Sequence, residues 1–142
     1  MSSALEAKIA ALRGLGVVVG VTAKTNGRSG EFSNAELAAI HEFGSPMRNI
    51  PERSFLRKPL INNAATIANL AKNAVGKFIA GEITAAEALG VIGEEAKGIS
   101  KEAISDGISP ALKPATIKHK KSSKPLIDTG QLLNSITCEV RK

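Results

Sequence analysis

Tryptophan and tyrosine are missing from this chain, phenylalanine occurs four times, histidine twice and cysteine once. Each scarcity excludes something. Without large aromatics the core must be built from alanine, isoleucine, leucine and valine, so helices must pack closely and some apolar surface is expected to lie between subunits. The lone Cys138 rules out an internal disulfide framework and fits a reducing compartment. Two histidines far apart, His41 and His119, leave no metal-ligand spacing; His41-Glu42 starts like a zincin helix, but the second histidine is lacking. The longest strongly apolar run, Leu15–Val21, falls far short of the ~20 residues of a membrane span. The N-terminus carries Glu6 and no basic stretch ahead of an apolar one, so no secretory signal is read and a cytosolic product is expected.

The 142 residues suit a single domain, 1–142, with a net charge of +6. That charge is uneven. Residues 107–142 hold 7 basic and 2 acidic side chains, centred on Lys113, Lys118, Lys120, Lys121 and Lys124. Such a run reads either as a solvated loop or as a contact for phosphate or an acidic partner. Flexible loops are expected at about 23–32 and 113–125.

Helical periodicity opens the chain, with Leu5, Ile9 and Leu12 behind a serine cap, and Gly14 and Gly16 follow. GVVVGVT, residues 16–22, reads as a buried strand with Gly20 as a bulge or close-approach point. Ser33 or Asn34 caps a helix that stops at Gly44. Pro51 and Pro59 predict either an extended 51–57 with a helix from 58 or a kinked helix. Leu60, Ala64, Ile67, Ala71, Ala74 and Phe78 then form one stripe, and Leu89, Ile92, Ala96, Ile99 and Ala103 a second behind the capping box Thr84/Glu87. Two long helices joined by a short turn make a helical hairpin. Gly90, Gly93 and Gly98 allow a close neighbour, expected to be a helix. The tail 135–141 alternates as a strand, to pair with 17–21, and a third strand from residues 23–32 or from a neighbouring subunit is expected because two are marginal. The fold class is therefore α+β, a small antiparallel sheet against a long helical hairpin.

Catalytic patterns are lacking. GRSG has neither the spacing nor the Gly-Lys-Ser/Thr ending of a phosphate loop. Ser29, Ser54 and Ser135 sit in no nucleophile elbow, Cys138 has no identifiable base, and Glu94, Glu95 and Glu102 read as a solvated helix face. No enzyme and no cofactor are expected. The richest stretch is 37–61, where Phe43, Arg48, Pro51, Arg53, Phe55, Arg57 and Lys58 crowd one junction. Its cations suit either nucleic acid or acids on a neighbouring chain. The prolines favour the second, a rigid docking edge with Phe55 and Leu56 plugged into the core. On that basis Arg53→Glu is expected to leave the subunit folded but unable to join its partners.

The run from Ala38 to Arg57 resembles a signature of bacteriophage virion-morphogenesis proteins of the neck and tail-completion type, Ala-x-x-x-Glu-Phe-Gly followed by Ile-Pro-x-Arg-x-Phe-Leu-Arg. The matching residues are Glu42, Phe43, Gly44, Ile50, Pro51, Arg53, Phe55 and Leu56. A second stretch matches at Pro110, Leu112, Thr116, Lys118, Pro125, Leu126, Asp128, Thr129, Gly130, Leu132, Ser135 and Ile136. One departure is Ile108-Ser109, where many relatives carry an aromatic. The resemblance implies a ring-forming subunit, usually sixfold, at the head–tail junction of a long-tailed phage. Its implied partners are further copies of itself and other neck, portal-side and tail-tube proteins around the DNA channel. The alternative is a basic nucleic-acid-binding module using the Lys-rich loop 113–124.

Overall fold

Local signals along the chain place most of its elements. The computed structural model describes residues 2–27, 33–108 and 130–142. Ser2 caps α1 (Ser3–Arg13) by accepting from the Leu5 amide. Gly14 closes it, and β1 (Gly16–Val21) follows. Ser33 and Glu36 form a reciprocal capping box at the start of α2 (Asn34–Phe43). A short 3-10 turn, Pro46–Arg48, leads through an extended segment into α3 (Arg57–Asn62), α4 (Ala64–Ile79) and α5 (Ala85–Asp106). The mixed run after Gly130 resolves into α6 (Gln131–Ser135) and then β2 (Ile136–Arg141).

β1 and β2 pair antiparallel without a bulge, from Gly16 opposite Arg141 to Val21 opposite Ile136. Val17, Val19, Val21, Ile136, Cys138 and Val140 therefore share one face. α5 packs against both strands and against α4, and it is the element on which the molecule is assembled. No third strand occurs among the described residues, so the pair draws its support from α5 rather than from a wider sheet. The expected architecture of a small sheet on a helical hairpin is present.

Of the two readings of the prolines, the extended segment followed by a helix is the one present. The chain is extended through Ser54, α3 starts at Arg57, and Pro59 falls within its first turn, where a missing N–H costs nothing. Other local expectations need correction. The actual break comes at Asn63, whose side-chain amide donates to the Pro59 carbonyl at 2.8 Å and competes with the helical ladder. Ala64 is exposed, outside the buried stripe. On α5 the buried line is Ala88, Gly93, Ala96, Ser100 and Ile104, which shares only Ala96 with the stripe read in the sequence. Gly93 serves the sheet rather than a helix: a Cβ there would lie 2.7 Å from Val17 Cγ2 and 3.1 Å from Cys138 Cβ and Sγ. Gly90 and Gly98 face open space.

Residues 23–27, read as the start of a loose loop, are pinned to α2. The Asn34 side-chain amide donates to the Thr25 and Gly27 carbonyls at 2.9 Å, and Asn26 Oδ1 accepts from the Ala35 amide at 2.7 Å. The remainder of that loop, and all of 113–125, lie outside the described residues. The core joins Ala38, Phe55, Ile104, Leu132 and Ile136, with Val21, Leu37 and Leu56 packed around them.

Candidate functional site

The junction between α2 and α3 is organised by one carboxylate. Leu56 stands at the cap position of α3 and offers no side-chain acceptor, so the first turn needs partners from elsewhere. Glu42, in the last turn of α2 and only 4% exposed, provides them. Its Oε1 accepts from the Leu56 amide at 2.7 Å and the Arg57 amide at 3.2 Å. Its Oε2 accepts from Arg57 Nε at 3.1 Å, while Arg57 Nη2 donates to the Glu42 carbonyl at 3.1 Å. Ser54 Oγ takes the Lys58 amide at 3.0 Å. The amides of Leu56, Arg57 and Lys58, at the cap and first turn of α3, are thus satisfied from outside the helix, with negative charge at its positive end.

The loop between these helices is stiff. Gly44 has φ +76°, and a Cβ there would meet the Glu52 nitrogen at 2.9 Å and the Ile50 oxygen at 3.1 Å. Ser45 and Ile50 exchange backbone hydrogen bonds of 2.8 and 2.9 Å, and Asn49 adopts the left-handed conformation between them. The Arg53 amide ties the return strand to the His41 carbonyl at 2.7 Å. Above this frame the Arg57 guanidinium lies 4.4 Å from the centre of the Phe43 ring. Glu52 bonds Lys58 at 2.6 Å, and that bond holds its carboxyl below the usual range, helped by the charges of Lys58 and Arg57.

The six residues expected at a subunit surface divide into three groups. Phe43 (61% exposed), Arg48 and Pro51 are at the surface. Arg53 and Phe55 are not: Arg53 is 7% exposed and Phe55 fully buried, its carbonyl accepting from Ser100 Oγ at 2.7 Å. Burial pushes the Arg53 guanidinium below its ordinary value. Arg53→Glu would therefore strike the subunit's own interior, not an interface. Arg57 pairs with Glu42 and Glu52 of its own chain.

The other motif positions are also structural. Gly130 is left-handed at the start of α6, Leu132 is 2% exposed, and Ser135 Oγ donates to the Leu132 carbonyl at 2.6 Å. Leu132 and Ile136 share one cluster with Phe55, so the two distant halves of the signature meet in the core. Asp128, Thr129 and Lys113, Lys118, Lys120, Lys121 and Lys124 lie outside the described residues.

Sequence reading missed Met47, fully exposed at the tip of the 45–50 loop. The signal was a proline-started turn too short to bury its second residue. Cys138 lies on the strand face turned to α5, as its alternation suggested. Burial pushes its thiol up, and the thiol donates to Glu94 Oε1 at 3.5 Å. Among the described residues no cluster of His, Cys, Asp or Glu is arranged to hold a metal ion, and no helix is long and apolar enough to cross a membrane. No family model, no curated protein and no solved structure matches this chain.

Proposed function

We propose that this chain is a structural subunit of a long-tailed bacteriophage virion. It assembles as a ring, expected to be sixfold, at the head–tail junction, joining or completing tail and head around the DNA channel. In this role it carries out no catalysis and takes no cofactor; its partners are its own copies and neighbouring neck, portal-side and tail-tube proteins. The supporting observation is how the signature residues are used. Glu42, Gly44, Arg53, Phe55, Leu132 and Ser135 are all engaged in holding α2, α3, α5 and α6 together. What they hold up is a stiff, partly apolar edge at Phe43, Met47 and Pro51, whose shape suits docking. Each subunit of a ring needs one such patch facing a different patch on its neighbour.

The test is a mass measurement in solution followed by electron microscopy of mixtures with purified heads and tails. A closed ring seated on one of the two particles is expected. A protein that stays monomeric and binds neither particle, yet binds duplex DNA tightly at physiological salt with a steep loss on adding salt, would instead favour the nucleic-acid module built on the lysine-rich run.

A further inference from the structure

Two surface features of this molecule are unfilled and mutually complementary. The first is the knob: Met47 stands 100% exposed on a loop held rigid by the Ser45–Ile50 bridge and the left-handed Asn49, with exposed Arg48 beside it. The second is a groove of about 600 Å³ where α4, α5 and β2 meet. Leu70, Gly90, Val91 and Cys138 line it, and Glu87, Glu94 and Glu95 stand along it. Val91 is 43% exposed, and Gly90 leaves open space where a side chain would stand. Methionine is the apolar side chain best able to adapt to such a groove. One of the groove's three acids, Glu94, is bonded to Lys97 at 2.7 Å; the other two, Glu87 and Glu95, carry the charge opposite to Arg48 beside Met47.

The geometry points to a head-to-tail contact between copies of this chain, in which Met47 of one copy seats in the groove over Leu70, Gly90, Val91 and Cys138 of the next. The two features do not serve each other within one subunit. Glu52 and Lys58, next to the knob's loop, share a surface pocket with Ala103 and Asp106 at the end of α5. Val91 lies about 18 Å back along that helix at 1.5 Å per residue. Different patches meeting in this way give a heterologous contact, which propagates to a ring when the rotation closes. The inference rests on the ring reading and assigns its contact.

Cys138 makes the contact directly testable. Full-length Met47→Cys, treated with a mild oxidant that takes up the two electrons and two protons as the thiols join, is expected to give a ladder of covalent multimers. Wild type under the same treatment stays a single band, and Met47→Cys combined with Cys138→Ser loses the ladder. Met47→Glu, altering a fully exposed side chain, is expected to shift the sedimenting species to the mass of one subunit while circular dichroism stays unchanged. If wild type forms a ring but Met47→Cys gives no ladder, or gives dimers that persist without Cys138, this contact is overturned and the ring reading stands. If wild type is monomeric at every concentration, both fall.

Discussion

At the scale of residues, Glu42 is the side chain on which the α2–α3 junction depends. It is buried, accepts two backbone amides and pairs with Arg57, so nothing nearby replaces it. Glu42→Ala leaves the amides of Leu56 and Arg57 without an acceptor and is expected to destabilise the fold by about 2–4 kcal/mol. Glu42→Gln keeps one oxygen able to accept and is expected to lose roughly half as much. Urea denaturation of the three proteins measures this; equal midpoints for wild type and Glu42→Ala would remove the capping role. Nothing in the stretch EFGSPMRNIPERSFLR told its charged residues apart. Arg48, Arg53 and Arg57 look alike in sequence, yet one is at the surface, one is buried and one bonds a buried carboxylate. The difference comes from what packs on them, and those partners are supplied by α2 and α5.

At the scale of elements, α5 and its glycines give a prediction of opposite signs. Glycine inside a helix costs ~1 kcal/mol relative to alanine. Gly90 and Gly98 face open space, so Gly98→Ala is expected to stabilise by about 0.5–1 kcal/mol. Gly93→Ala would drive its methyl within 2.7 Å of Val17 Cγ2 and 3.1 Å of the Cys138 side chain, separating the sheet from the helix that supports it. A net loss of about 1–3 kcal/mol is expected there despite the better helix propensity. Thermal unfolding of the two variants decides it: a Gly93→Ala protein as stable as Gly98→Ala would mean the sheet does not rest on α5 so closely. Helical spacing revealed the helix and its ends. It could not say which glycine was needed, because a sheet arriving from residues 16–21 and 136–141 makes the demand.

At the scale of the whole molecule, pH dependence follows from a few surface pairs. Glu52, Glu94 and Glu139 all titrate below the ordinary carboxylate value. Their causes are, respectively, the bond to Lys58, the bond to Lys97, and the Thr22 side chain beside Glu139 together with the bonds from Arg141. A depressed carboxylate contributes stability that is present above its unfolded value and lost as pH falls through its folded one. Cys138 and Lys97 are raised, by burial and by the bond to Glu94 respectively, so their contribution is present below their unfolded values and lost as pH rises through the folded ones. Stability is therefore expected to hold level between the carboxylate and thiol ranges and to fall on either side. Replacing Glu52 and Glu139 by glutamine should flatten the acid limb of a melting-temperature profile and leave the alkaline limb, which rests on Cys138, Lys97 and Glu94. An acid limb as steep as that of wild type would assign it to other carboxylates.

The sequence by itself determined where α2 and α5 begin and where several elements stop. Ser33 with Glu36, Thr84 with Glu87, and the glycines at 44, 81 and 107 act through hydrogen bonds and dihedral angles within a few residues, so their effect is legible locally. Alternation also placed the two strands opposite each other, because one face of each had to be buried. Tertiary structure alone decided that Arg53 and Phe55 face inward and that Gly93, not Gly90 or Gly98, meets the sheet. Each of these depends on which distant segment comes to lie alongside, and burial is a property of that neighbour as much as of the residue itself.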